Sequence, residues 1–190
     1  MRIQVTIEGL TPLLMNRFTD QAEIAASSGH SPAFNGNGKG TPREQATRTA
    51  YRDTKTGELY VPGPNIFAAL VDAGKFHKLG KNKLTTQKSS LVPAGLLVPE
   101  LMVSLGTKEF EVDSRRVRIP ATGGCVMRHR ARIDRWKTTF TLEVDETMFT
   151  PQLVRSLVDD AGKKVGLGDY RPATRGPFGR FIVTGWEVDP

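Results

Sequence analysis

Two acid-poor runs of basic residues carry the clearest chemistry in this sequence. The run over residues 73–99 contains no aspartate or glutamate, and the run over residues 115–137 contains one, Asp134. Contacts to phosphates dominate nucleic-acid binding, so two segregated runs predict polyanion binding more strongly than a merely solvated surface. The candidate binding residues of the first run are Lys75, Lys78, Lys81, Lys83 and Lys88.

The second run has the pattern of a β-hairpin with arginine at every second position. A turn is predicted at residues 121–124, because Gly123 and Gly124 accept a positive φ at little cost. Alternation puts Arg116 and Arg118 on one face of the first arm. Guanidinium groups match phosphate oxygens, so an exposed ladder of this kind can follow a sugar-phosphate chain. On the second arm the candidates are Arg128, Arg130 and Arg132 on one face, with His129 among them.

A third candidate region, the glycine-rich segment of residues 166–181, precedes the last predicted strand. Its glycines predict a backbone that approaches a ligand closely, and its aromatic side chains can stack on bases. It lacks the spacing of a Walker loop or a dinucleotide-binding motif. The candidate glycines are Gly166, Gly168, Gly176 and Gly179. The other candidates are Arg171, Arg175, Phe178 and Arg180, with Tyr170 and Phe181 as further aromatic residues.

The elements that must position these residues follow from hydrophobic periodicity. Helices are predicted from Gly63-Pro64 to Gly74, and from Thr150-Pro151 to a last turn that carries Lys163 and Lys164. Both end in the same four residues, Asp-Ala-Gly-Lys. The order of elements predicts an α+β, ferredoxin-like (RRM-like) antiparallel sheet with two helices and an inserted basic hairpin at about 110–137. Strands are predicted at residues 2–10, 91–103, 110–119, 126–133, 138–144 and 180–188.

Composition limits the class of protein. The chain has 190 residues, 38% of them hydrophobic, and a net charge of +7, which together predict one folded domain with a polyanion partner. Residues 19–49 are rich in Gly, Ser, Asn and Pro and predict a long mobile loop. Cys125 is the only cysteine, so no internal disulfide is possible and a reducing, cytoplasmic setting is expected. No stretch has the length of a membrane helix, and the start of the chain lacks the pattern of a signal peptide.

Taken together, these features resemble the RAMP superfamily, the ferredoxin-like RNA-binding proteins of CRISPR effector complexes. The matching residues are the strand at 2–10 and the glycine-rich segment before the final strand, and the hairpin at 115–136 looks like the thumb of backbone subunits. The resemblance implies a subunit that polymerises head to tail along a guide RNA, beside other effector subunits. At 190 residues the chain is shorter than typical backbone subunits, which suggests a minimal relative from a phage or mobile element.

Catalysis is not expected, and no cofactor or metal is predicted. His30, His77 and His129 are widely spaced, with no metal-site pattern. Some RAMP relatives cleave RNA with a histidine, for which His77 or His129 would be candidates, and others with a loop aspartate, for which Asp20 would be the candidate. Three alternatives stay open. They are a sequence-independent single-stranded DNA-binding protein of phage replication or recombination, an endoribonuclease, and a structural protein whose basic surface is incidental.

Overall fold

The computed structural model describes residues 1–18, 27, 40–118 and 123–189. The regular elements in these ranges are strands of two to nine residues, four α-helices, two short 3-10 helices and one π-helical turn. The strands are β1 (Arg2–Gly9), β2 (Leu13–Leu14), β3 (Tyr60–Pro62), β4 (Lys78–Leu79), β5 (Asn82–Lys83), β6 (Leu96–Leu97), β7 (Met102–Ser104), β8 (Glu111–Arg118), β9 (Cys125–Ile133), β10 (Lys137–Val144) and β11 (Phe181–Asp189). The helices are α1 (Pro42–Thr49), α2 (Gly63–Ala73), α3 (Val92–Gly95) and α4 (Pro151–Asp160).

The main sheet has four antiparallel strands in the order β11-β1-β10-β6. Ile3, Val5 and Ile7 of the central strand β1 are fully buried, as strand alternation predicts. The strand order places the last strand beside the first, which is the ferredoxin-like arrangement. The predicted α+β fold class is therefore confirmed.

Helices α2 and α4 cover one face of this sheet and contribute to its core. Helix α4 begins as predicted, since the Thr150 hydroxyl accepts a hydrogen bond from the Leu153 amide at 3.3 Å. Its last turn carries Lys163 and Lys164, as predicted, and this turn (Ala161–Val165) is π-helical. Gly162 lies within the turn and allows close packing, since a Cβ atom there would lie 2.2 Å from the Phe181 carbonyl oxygen. The buried helix residues include Ile66 and Leu70 of α2 and Val154, Leu157 and Val158 of α4.

The single strand predicted over residues 91–103 is also wrong. This stretch forms the short helix α3, the two-residue edge strand β6 and the separate strand β7. Pro93 fixes a helical φ at the start of α3, and Pro99 has no amide to donate to a ladder. The prolines therefore divide a stretch whose apolar composition had favoured one strand.

The open face of the main sheet is polar and more acidic than basic. In the described residues of β1, β10 and β11, no aromatic side chain lies on this face. RRM domains stack bases on aromatic residues at this position, so the likeness to an RRM is one of topology alone. The charged residues on this face are Arg2, Glu8, Lys137, Glu143, Glu187 and Asp189.

Part of the segment predicted as a long mobile loop, residues 19–49, is the helix α1 instead. Thr41 and Glu44 form a capping box: the Glu44 amide donates to the Thr41 hydroxyl at 3.3 Å, and the Thr41 amide donates to the Glu44 carboxylate at 2.7 Å. Pro42 then occupies the first turn. These local signals outweigh the glycine-rich composition just before them. Apart from Ser27, residues 19–39 lie outside the described residues, as do the candidates Asp20 and His30.

Helix α1 packs against the base of the β8–β9 hairpin. The Thr49 hydroxyl donates to the Ala46 carbonyl at 2.7 Å and accepts a hydrogen bond from the Ala131 amide of β9 at 3.0 Å. The Arg43 guanidinium donates to the Phe110 carbonyl at 2.6 Å and lies 3.9 Å from the centre of its ring. The hairpin is therefore anchored at its base by the segment that precedes α2.

Replacing Thr49 by valine is expected to lower the free energy of unfolding by about 2 kcal/mol. Valine keeps the shape of the side chain but leaves the buried Ala131 amide without an acceptor. Thr49 is 2% exposed, so water cannot take the place of the hydroxyl. Urea denaturation measures the effect, with Thr47→Val on the exposed face of α1 as the control; equal losses in the two variants would contradict this account.

Candidate nucleic-acid interface

The basic hairpin forms as predicted from β8 and β9, which pair over residues 111–118 and 125–132. Its predicted turn lies partly outside the described residues, but Gly123 has the expected positive φ of 70°. Arg116 lies opposite Met127, and Arg118 lies opposite Cys125, so these two arginines share one face. The register puts the arginines of β9 on the other face. There Glu111, Asp113 and Arg115 lie opposite Arg132, Arg130 and Arg128 respectively.

The prediction that the β9 arginines form an exposed ladder is wrong, because two of them form ion pairs. The Arg130 guanidinium lies 2.9 Å from the Asp169 carboxylate, and the two side chains are 13% and 27% exposed. Arg132 forms a second pair with Asp134 at 2.7 Å. Alternation correctly placed both arginines on one face, but sequence alone did not reveal their partners. Arg130 therefore ties the hairpin to the glycine-rich segment and is not free to follow a phosphate chain.

A second tie joins the hairpin to the same segment. The Arg115 guanidinium pairs with the buried Asp113 carboxylate at 2.8 Å and lies 4.6 Å from the centre of the Phe178 ring. Phe178 is only 7% exposed, and Phe181 is 2% exposed. The prediction that Phe178 can stack on a base is therefore wrong: its ring is covered by the protein's own arginine.

Replacing Asp169 by asparagine is expected to lower the free energy of unfolding by about 2 kcal/mol. The change keeps the side-chain shape but leaves the mostly buried charge of Arg130 without a counter-charge. For a chain of this length the melting temperature should fall by about 4–8 °C.

The control is Asp159→Asn, which removes the acid of the more exposed Arg155–Asp159 pair on α4. Such surface pairs contribute about 0.5 kcal/mol or less. Melting temperatures that fall equally in both variants would show that the Arg130–Asp169 pair has no special role.

The glycines of the glycine-rich segment make room for the chain itself. The Leu167 amide donates to the Gly179 carbonyl at 2.9 Å, and the Gly179 amide donates to the Pro12 carbonyl at 2.8 Å. A Cβ atom on Gly168, where φ is 74°, would lie 2.3 Å from the Leu14 carbonyl oxygen. The predicted close approach is thus between two stretches of protein backbone. Gly166 and Gly176 are similarly crowded, by Pro172 and by the Tyr170 carbonyl.

An open groove of about 550 Å³ lies between the hairpin and the glycine-rich segment; we call it the arginine groove. Arg116 and Arg118 are exposed, and neither has an ion-pair partner among the described residues. Tyr170 lies on the other wall of the groove; its side chain is 40% exposed and its backbone φ is 48°. A bulky residue in this conformation is strained, and such strain is concentrated at functional sites. The lining residues are Arg115, Arg116, Val117, Arg118, Arg130, Asp169, Tyr170 and Thr174.

The sequence did not single out Asp169, and it predicted Tyr170 only as one of three aromatic residues that can stack on a base. Tyr170 was one of three aromatic residues without a distinguishing signal, and its ring packs 6.1 Å from that of Phe178. For Asp169, the signal was an acid inside a segment otherwise rich in arginine. Of the predicted arginines nearby, Arg171 donates to the Gly168 carbonyl at 3.0 Å, and both Arg175 and Arg180 are exposed.

The predicted lysines lie elsewhere, on the lysine loop formed by residues 75–88 after helix α2. Helix α2 has 11 residues and a length of about 16 Å, and its other end lies beside the glycine-rich segment. Lys75 pairs with Asp72 at 2.6 Å. The strands β4 and β5 form a small exposed hairpin that carries Lys78, Lys81 and Lys83, and Lys88 follows it, also exposed. The structure therefore does not bring the two basic runs into one site.

Both described histidines have partners. His77 lies 3.1 Å from the Asp160 carboxylate and is 14% exposed. The His129 Nδ1 atom lies 2.7 Å from the Ser114 hydroxyl. In the described ranges no group of three or more His, Cys, Asp or Glu side chains is placed to hold a metal ion. None of the helices in those ranges is long and apolar enough to cross a lipid bilayer.

Comparison with known proteins shows a similarity in fold. No protein-family model matches the sequence, and no curated protein matches it. In fold the chain is similar to a chain of the type III-B Cmr-beta complex bound to cognate target RNA, with a TM-score of 0.56 and 12% sequence identity. The match covers 98% of this chain and 60% of that chain, so this chain spans about three fifths of the other's length.

Proposed function

We propose that the protein is an RNA-binding subunit of the RAMP type that holds single-stranded RNA in the arginine groove. The observation that supports this most directly is that Arg116 and Arg118, which have no ion-pair partner within the described ranges, share one open groove with exposed Tyr170. Guanidinium groups bind phosphates, and an exposed aromatic ring stacks on a base. The fold is also similar to that of a chain from a complex described as bound to target RNA.

In this proposal the other arginines of the region position the groove. Arg130 and Arg115 hold the hairpin against the glycine-rich segment through Asp169 and Phe178. A groove that is fixed before binding loses less conformational entropy when RNA enters it. The ion pairs therefore support function indirectly, by keeping the two walls at a set separation.

We further propose that copies of the chain assemble head to tail along the RNA. Three apolar side chains within residues 97–102 are exposed, where a soluble surface normally carries polar groups. Leu101 is 75% exposed, and Leu97 and Met102 are each about half exposed. In this proposal a second copy of the chain binds that patch. A head-to-tail contact that does not close into a ring repeats from copy to copy and gives an open array. Light scattering of the complex with long RNA measures this directly.

The subunit is proposed to hold RNA without cleaving it. His77 is engaged by Asp160 and His129 by Ser114, and neither lines the arginine groove. General acid–base cleavage needs a side chain within hydrogen-bond reach of the ribose. Incubation of the protein with labelled RNA should therefore leave the RNA intact.

Substitution of Tyr170 tests the proposed groove. Tyr170→Ala should weaken binding of a single-stranded RNA about tenfold, because stacking on one base contributes about 1–3 kcal/mol. Tyr170→Phe keeps the ring and should bind like the parent. Fluorescence anisotropy measures both, with a DNA oligonucleotide of the same sequence as competitor. Equal affinity for DNA would favour a single-stranded DNA-binding protein, and unchanged binding by Tyr170→Ala would remove the groove from the site.

A further inference from the structure

The lysine loop is anchored by buried contacts although its lysines are exposed. At its base Leu84 is 1% exposed, and the Thr85 hydroxyl donates to the Val71 carbonyl of α2 at 2.7 Å. The Leu84 amide also donates to the His77 carbonyl at 3.0 Å. Above this base the β4–β5 hairpin turns at Gly80, which has a φ of 61°. The loop therefore presents its charges from a packed support.

The end of α4 adds two further lysines beside this loop. His77 of the loop lies 3.1 Å from the Asp160 carboxylate at the end of α4. The Lys164 ammonium lies 4.6 Å from the centre of the Phe76 ring. Lys163 and Lys164 are both exposed. We call the lysine loop and these two lysines together the lysine surface.

The lysine surface carries far more positive than negative charge. It contains seven lysines, whereas the acids that pair with them in the described residues are Asp72 and Asp160. These acids lie 2.6 Å from Lys75 and 2.7 Å from Lys164 respectively. Neighbouring like charges repel one another, so a partner with many negative charges stabilises such a surface. The lysines without an ion-pair partner in the described part of the chain are Lys78, Lys81, Lys83, Lys88 and Lys163.

The partner whose chemistry fits this surface is a nucleic acid. Lysine ammonium groups bind phosphates as point charges and do not require one fixed geometry. Phe76 is 52% exposed, so part of its ring is open to a base, whereas Phe178 is covered. A basic surface with an accessible aromatic ring is the combination by which proteins bind single strands without sequence preference.

Helix α2 offers a neutral path between the lysine surface and the region of the arginine groove. The only charged side chain of this helix is Asp72, which is paired with Lys75. Asn65 and Ala68 are exposed at its other end, beside the backbone of residues 166–168. The helix is about 16 Å long, which corresponds to about five stacked nucleotides at roughly 3.4 Å each. No unpaired acid of α2 repels a phosphate chain that runs along it.

We propose that one RNA strand contacts first the arginine groove and then the lysine surface, which is a second phosphate-binding site for the same strand. This inference rests on the proposed function, because it assumes that RNA lies in the arginine groove. The groove alone holds a short RNA, whereas a longer RNA also reaches the lysines. The number of phosphates that the protein neutralises therefore rises with the length of the RNA.

The test compares uridine RNAs of about 4 and about 20 nucleotides, one too short and one long enough to reach both sites. Replacing Lys78, Lys81 and Lys83 together by alanine should change the affinity for the shorter RNA by no more than about twofold. It should lower the affinity for the longer RNA at least about tenfold at low salt. The slope of log affinity against log salt should fall by about 2 for the longer RNA, at about 0.7 for each phosphate. Anisotropy titrations of the full chain over a range of salt concentrations measure both quantities.

The matched control is the triple variant Lys55→Ala/Lys108→Ala/Lys137→Ala. It removes the same charge from exposed positions that belong neither to the lysine surface nor to the lining of the arginine groove. Its affinity for either RNA should stay within about twofold of the parent's, with the same dependence on salt.

The outcomes separate this inference from the proposed function. If the parent and the lysine variant bind the longer RNA with the same affinity and salt slope, the second site is overturned and the RNA-binding function stands. Equal losses with the two RNAs, or an equal loss in the control variant, also overturn it, because binding then depends on net charge alone. If the parent self-associates without RNA and the lysine variant does not, while both bind the longer RNA equally, the surface is a protein interface instead. If the parent binds neither RNA, the proposed function fails, and the inference fails with it.

Discussion

Replacing Arg116 and Arg118 together by alanine is expected to lower the affinity for single-stranded RNA about 100-fold. Each guanidinium is exposed, lines the arginine groove and has no acid partner in the described part of the chain. Hydrogen bonds to charged groups contribute about 1.5 kcal/mol or more each, so two together give roughly this factor. The slope of log affinity against log salt should fall by about 1.4, at about 0.7 for each phosphate released. Fluorescence anisotropy over a range of salt concentrations measures both quantities.

The matched control is the double variant Arg2→Ala/Lys137→Ala. It removes the same charge from the open face of the main sheet, where acidic residues are in excess. Its affinity should change by no more than about twofold, because screening reduces the effect of remote surface charges. If the two double variants lose affinity equally, binding depends on net charge alone and the arginine groove is not the site.

Replacing Gly179 by alanine is expected to cost more than about 3 kcal/mol of folding free energy, with a fall in melting temperature of at least about 6 °C. Gly179 has a φ of 69°, and a Cβ atom there would lie 1.8 Å from the Leu167 carbonyl oxygen. The obstructing atom is backbone, so a change of side-chain rotamer cannot relieve the clash. RNA binding should fall as well, because the glycine-rich segment forms one wall of the groove.

Gly106 provides a control that isolates the steric effect. Its φ of 64° is nearly the same, but a Cβ atom added there would have no other atom within 4 Å. Gly106→Ala should therefore cost only about 1 kcal/mol, the cost of the left-handed conformation itself. If the two variants lose similar amounts of folding free energy, close backbone packing does not explain why glycine is needed at position 179.

The sequence predicted the elements whose signals are local. Alternation identified β1 and both arms of the hairpin, and the Gly63-Pro64 and Thr150-Pro151 pairs located the starts of α2 and α4. The capping box at Thr41 and Glu44 was also a local signal. It was overlooked because the surrounding composition favoured a loop.

The candidate site could be predicted only in outline, because its organisation depends on contacts between distant residues. Arg130 and Asp169 are 39 positions apart, and nothing in either neighbourhood links them before folding. The same is true of Arg115 and Phe178. Residue type correctly marked the hairpin and the glycine-rich segment as basic. It did not separate arginines that form ion pairs from Arg116 and Arg118, which are exposed and border the groove. An exposed ladder could lose all three β9 arginines without loss of stability. Because Arg130 and Arg132 form ion pairs, we expect alanine at all three positions to destabilise the fold.

Photo-crosslinking of the intact protein to RNA containing 4-thiouridine tests the central claim most directly. Ultraviolet activation joins the thiouridine to side chains in contact with it, and mass spectrometry of the digest locates the joined residues. The account predicts crosslinks at Tyr170 and along β8, on the two walls of the arginine groove. Crosslinks confined to the lysine loop or to the open face of the main sheet would contradict it.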